Sequence, residues 1–149
     1  MESTYDSDFY AWANTQAALL RGGRIDQADI EHIAEEIESM GKSELRELEN
    51  RLARLFTHLL KWQFQPNRRS RSWTLTIKEQ RRRLHRHLAQ NPSLKAKLEQ
   101  AVVDAYGDAI LKAARETGLA EETFPPVCPF TIEQILNDDV PGLAVDQLP

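Results

Sequence analysis

Between Glu44 and Phe64 the segment ELRELENRLARLFTHLLKWQF places Leu45, Leu48, Leu52, Leu55, Leu59 and Trp62 at alternating steps of three and four. On a 3.6-residue period these side chains fall along one side of an α-helix, the pattern of a helix buried against other helices. Phe56 and Leu60 widen the stripe, so the helix must meet more than one neighbour. No strand-period segment of useful length competes with it. The chain therefore reads as all-α: an antiparallel helical bundle of four to five main helices with an irregular, proline-containing C-terminal tail.

The remaining helices follow from caps and breakers. Asp6 or Asp8 caps a first helix through Phe9, Trp12, Ala13, Gln16, Leu19 and Leu20, and Gly22–Gly23 stops it. Asp26 restarts a helix with the apolar line Ile30, Ile33, Ile37 and Met40, and Gly41 marks a break or kink before the central helix. Pro66 ends the central helix. Ser70 or Ser72 caps the next, with Trp73, Ile77, Leu84 and Leu88 on one face. Asn91-Pro92-Ser93 starts a helix carrying Leu94, Leu98, Ala101, Val102, Ala105, Ala109 and Ala113, and Gly118 ends it. FPPVCPF is extended, because each proline restricts the residue before it. Thr131 caps a short helix over 132–137. One domain over 1–149 is expected, with 1–4 and 142–149 as loose ends.

A chain of 149 residues is long enough for a real core. Its one cysteine excludes an internal disulfide framework and an all-cysteine metal site. The start, MESTYDSDFY, has no basic region followed by an apolar core, and no apolar run approaches the roughly 20 residues that span a bilayer. A cytoplasmic location with no membrane partner is the expectation. The net charge of −4 hides an asymmetry: residues 1–50 hold 12 acidic and 4 basic side chains, whereas 61–90 hold 9 basic and 1 acidic. Such a split fits either a nucleic-acid surface or two segments that pack together.

Several groupings together resemble a known family. They are Tyr5, Asp6, Asp8, Phe9, Tyr10 and Trp12; Gln16, Ala17, Leu19, Leu20 and Arg21; and Ala34, Glu35, Glu36 and Ile37. The series continues with His58-Leu59-Leu60-Lys61-Trp62, Ser72-Trp73, Arg81, Asn91-Pro92-Ser93-Leu94 and Cys128-Pro129. In this order they resemble the bacterial family catalogued as domain of unknown function twenty-nine, over roughly Tyr5 to Pro141. The resemblance implies a small, all-helical bacterial protein and carries no catalytic role to any residue.

Polar residues that interrupt the apolar pattern are the candidates for function. Asp29, His32 and Glu36 share one side of a helix, beside Ile33 and Ile37; carboxylate and imidazole together suit a divalent transition metal. His58, on the flank of the central helix, is the fourth candidate donor. The plainer reading is a solvated acidic flank with one histidine, and the Glu-x-x-His order of di-iron bundles is missing. No cofactor other than such a metal is implied. Gln80 and Arg81 fall inside the stripe of Trp73, Ile77, Leu84 and Leu88. A charge buried there needs a partner, and Glu35 or Glu36 is expected to supply it.

The basic segment holds Arg68, Arg69, Arg71, Lys78, Arg81, Arg82, Arg83 and Arg86 with Trp73, His85 and His87. Arg82 and Arg86 point away from the stripe and Trp73 can stack on a base, so these three are the nucleic-acid or partner-surface candidates. The acidic pI of about 5.6 opposes nucleic acid at long range. Arg82 to His87 and Arg51 to His58 are similar in spacing to the arginine–histidine pair of helical, toxin-system ribonucleases of the nucleotide-binding prokaryotic-eukaryotic family. Leu52 or Arg83 follows the arginine where that family prefers an uncharged polar or acidic residue. Cys128, between Val127 and Pro129, reads as a small apolar contact of the tail. Without a tight motif, the reading is a non-enzymatic interaction or regulatory bundle, with a protein partner or self-association. The alternative is a metal-dependent or ribonuclease-like enzyme using Asp29, His32, Glu36 and His58, or the helix 81–87.

Overall fold

A computed structural model of the chain describes residues 4–136. Six α-helices follow in order: α1 Thr4–Ser7, α2 Phe9–Arg21, α3 Ile30–Phe64, α4 Arg71–Gln90, α5 Leu98–Thr117 and α6 Ile132–Leu136. Short 3₁₀ turns punctuate them, and there is no strand among the described residues. The fold is all-α, as the periodicity requires. The expected loose end over 142–149 lies outside the described residues, as do residues 1–3.

The helices begin and end where local chemistry dictates. Asp8 caps α2 by accepting from the Ala11 amide at 3.1 Å, and Ser70 caps α4 by accepting from the Trp73 amide at 3.3 Å. Thr131 accepts from the Gln134 amide at 3.1 Å to start α6. Gly118 closes α5 in the left-handed conformation, φ 76°, which a side chain would strain. Three expectations change. The turn at Asn91-Pro92-Ser93 opens a 3₁₀ helix, Pro92–Lys97, and α5 begins only at Leu98. Asp26 starts only a 3₁₀ turn, Ile25–Gln27, and Asp29 takes the position that opens α3. The break expected at Gly41 is absent: α3 keeps its helical hydrogen bonding through it. A single exposed glycine costs a helix about 1 kcal/mol, which strong helix formers on both sides outweigh.

The chain divides into two compact units, Met1–Ser43 and Glu44–Pro149, with α3 contributing residues to each. In the second unit, Leu48, Leu52, Leu55, Phe56, Leu59 and Leu60 of α3 are buried with Ile77, Leu84 and Leu88 of α4. Ala101, Ala105, Ala109 and Ala113 of α5 complete that core, small enough for close helix approach. Phe56 meets Tyr106 of α5 edge-on at 5.8 Å and stacks on Phe130 at 5.9 Å. The run α3–α4 is antiparallel: Glu44 faces His87, Arg51 faces Gln80, and Lys61 lies over Trp73.

In the first unit, Trp12 is the buried apolar residue, and its ring lies 4.8 Å from Tyr5 and 5.4 Å from Phe9. Along the line Ile30, Ile33, Ile37 and Met40, Ile33 is half-buried and the other three are exposed, at 51%, 62% and 67%.

Candidate functional site

Asp29 organises the first unit. Its carboxylate caps α3 through the His32 amide and accepts from Trp12 Nε1 at 3.0 Å and His32 Nδ1 at 2.7 Å. Its own amide donates to Gln16 Oε1 at 2.7 Å, which ties the start of α3 to α2. The His32 and Trp12 donors hold the Asp29 carboxyl below its ordinary range, and the same contact raises the His32 imidazole. The Tyr5 ring stacks on His32 at 4.0 Å, and its hydroxyl donates to Glu36. That bond to a carboxylate pushes the Tyr5 phenol up to about 12.

The structure thus brings Asp29 and His32 into direct contact and sets Glu36 against Tyr5. Each already serves the packing of α1 and α2 on α3. Glu35 is exposed. His58 belongs to the second unit, where its Nδ1 bonds the Arg54 carbonyl at 2.9 Å, and burial lowers its pKa.

In the second unit Gln80 and Arg81 are buried, as their places in the stripe require. Arg81 Nε donates to the Ile135 carbonyl at 3.1 Å and a terminal nitrogen to the Gln134 carbonyl at 3.0 Å. One turn on, His85 Nε2 bonds the Leu136 carbonyl. The last carbonyls of a helix lack N–H donors from within it, so side-chain N–H groups from outside satisfy them. Arg81 and His85 therefore hold α6 against α4. Gln80 Oε1 accepts from Arg51 at 3.5 Å.

A cluster the sequence reading missed lies beside it. His87, 5% exposed, bonds the Glu44 carbonyl through Nε2 at 2.8 Å. Its two ring nitrogens each lie 3.6 Å from a carboxylate, Glu44 on one side and Glu47 on the other. Arg51 grips Glu47 through Nε at 3.1 Å and a terminal nitrogen at 2.8 Å, and lowers its pKa. One donor atom from each of Glu44, Glu47 and His87 falls within 4.8 Å of the others. The carboxylates on both sides of the ring and the guanidinium beside them make an ion network that ties α3 to α4. The signal was available: His87 sits between Leu84 and Leu88 at helical spacing, on the core side.

The basic face divides. Arg82 and Arg86 are exposed, as expected from their helix positions, while Arg83 pairs with Glu79 at 2.7 Å. Trp73 is half-buried, with the Lys61 ammonium 5.0 Å from its ring centre. Arg69 lies 4.9 Å over the Trp62 ring and donates to the Trp62 carbonyl at 2.8 Å. In the Arg82–His87 pair the guanidinium faces solvent and the imidazole faces the core. Cys128 is partly buried against the core, and burial raises its thiol pKa.

Over residues 4–140 the sequence matches the family described as Domain of unknown function DUF29. The chain belongs to that family. No curated protein and no solved structure matches it. DUF29 membership covers both units, so the acidic first unit and the basic α4 are parts of one family domain. No described helix of this DUF29 chain is long and apolar enough to cross a membrane.

Proposed function

We propose that this DUF29 protein is a non-enzymatic interaction module of the bacterial cytoplasm, and that its docking face is the apolar line of α3 in the first unit. The observation that carries this reading is the exposure of Ile30, Ile37 and Met40 at helical spacing. Isolated surface apolar residues are ordinary, but a contiguous line at the spacing of a helix seam marks a contact surface. The polar candidates point the same way. Asp29, His32 and Glu36 are engaged with Trp12 and Tyr5, and Arg81 with α6, so each has a structural task.

The test is affinity capture from the source cell with wild type, an Ile37→Ser/Met40→Ser variant, and Val103→Ser as an exposed apolar control on α5. Capture of a defined protein that survives Val103→Ser and disappears with the double variant supports the reading. The same proteins retained by all three chains sink it.

A further inference from the structure

The geometry points to one kind of occupant: we infer that a basic amphipathic helix of another protein lies along Ile30–Met40. This rests on the interaction reading above and names the partner's chemistry. Ile30, Ile33, Ile37 and Met40, all exposed except the half-buried Ile33, are spaced three, four and three apart, the a/d pattern that receives one facing helix, over about 15 Å of axis. Ala34 and Gly41, both exposed, lie on one border of the line, and a Cβ added at Gly41 meets nothing within 4 Å. Small residues there let a partner backbone approach closely. Just beyond them on the helix surface come Glu31 and Glu38, with Glu35 further round, all exposed. The opposite border carries Asp29 and Glu36, which are held by Trp12, His32 and Tyr5. A helix seated on the apolar line therefore meets carboxylates on its open side, and lysine or arginine on its flank complements them.

The charge balance separates this occupant from the others. Residues 1–43 carry 9 acidic and 3 basic side chains, a balance of −6. A second copy would set that charge against itself across the seam. The outward face of α4 in a second copy supplies Arg82 and Arg86 but only Leu75 as an exposed large apolar side chain, too little to cover three isoleucines and a methionine. Phosphate backbones and anionic lipid are repelled by Glu31, Glu35 and Glu38.

Two labelled synthetic helices with one leucine seam, flanked by lysine in one and by glutamate in the other, test the inference by fluorescence anisotropy on the full chain. The lysine helix should bind at least tenfold more tightly than the glutamate helix. Ile37→Ser/Met40→Ser should weaken it at least tenfold, and Glu31→Gln/Glu38→Gln several-fold. Salt should weaken it too, because the flanking charges are exposed. Circular dichroism of each variant verifies that the helices persist. Equal binding of both peptides overturns the charge assignment, and binding of neither overturns the inference. A dimer in sedimentation that dissociates with Ile37→Ser/Met40→Ser replaces this partner by a second copy. Those three results leave the interaction reading standing. It falls separately, if cell capture ignores the double variant.

Discussion

Leu52 and Ile37 hold equivalent places in two apolar lines of α3, yet Leu52 is 0% exposed and Ile37 62%. The first lies among leucines that face Ile77, Leu84 and the alanines of α5. The second lies in a unit whose buried apolar residue, Trp12, sits with Tyr5, Phe9, Asp29 and His32. Equal periodicity has thus been spent differently. In one unit it makes a core; in the other, hydrogen bonds and ring contacts hold the helices together and the apolar line is left open. A helix period states that one face prefers to leave water, and the partner of that face is set by other elements.

The sharpest way to break this comparison is to truncate both lines. Leu52→Ala removes buried methyl groups from a dry core and should destabilise the second unit by about 2–5 kcal/mol in urea unfolding, the range for such cavities. A loss below about 1 kcal/mol would mean that the core around Leu52 is not packed as described.

Arg81→Ala should come next, at about 1.5–3 kcal/mol, the scale of hydrogen bonds made by a charged group. The change removes the donors to Ile135 and Gln134, so hydrogen exchange of the α6 amides should accelerate ahead of those of α5. Uniform acceleration across α5 and α6 would show that Arg81 supports the core in general rather than α6 in particular.

What could be read from the sequence divides along the same line. The cap residues Asp8, Ser70 and Thr131, the stop at Gly118 and the leucine seam are local signals, and each stands where its chemistry places it. Arg81 was legible as a buried charge because it interrupts an apolar stripe. Its partners were not, since backbone carbonyls at Gln134 and Ile135 leave no mark in side-chain identity. His87 was counted with its basic neighbours, although its place beside Leu88 puts it inward, between Glu44 and Glu47. Within the first unit, Asp29 contacts His32, and Glu36 accepts from Tyr5. Tyr5 and Trp12, which engage them, come from α1 and α2 and share no spacing with them.

The first unit should respond to pH through Asp29 and His32. His32 is raised above its ordinary 6.5, so the stability it contributes is fully present below that value and is lost as pH rises through its folded pKa. Asp29 is lowered below its ordinary 3.8, so its contribution is present above that value and is lost as pH falls through its folded pKa. The contact is fully formed between those two limits. The Trp12 indole NH should be more protected, relative to its intrinsic exchange rate at each pH, within the window than on either side, and His32→Gln should flatten the alkaline side alone. A Trp12 signal indifferent to pH above 6.5 would remove His32 from the clamp.

The smallest effect on folding is expected at Ile37, and it is the most informative. Ile37 is 62% exposed, so Ile37→Ser should change stability by no more than about 0.5 kcal/mol, the ordinary range for surface substitutions. If it does, the apolar line is dispensable for the fold. A loss near that of Leu52→Ala would instead mean that the line is already covered in the free chain in solution, and the two halves of α3 would then be alike. The contrast between them is therefore measured by one ratio, the cost of Leu52→Ala to that of Ile37→Ser. A ratio of about four or more leaves Ile30, Ile37 and Met40 available for a partner; a ratio near one takes that face away.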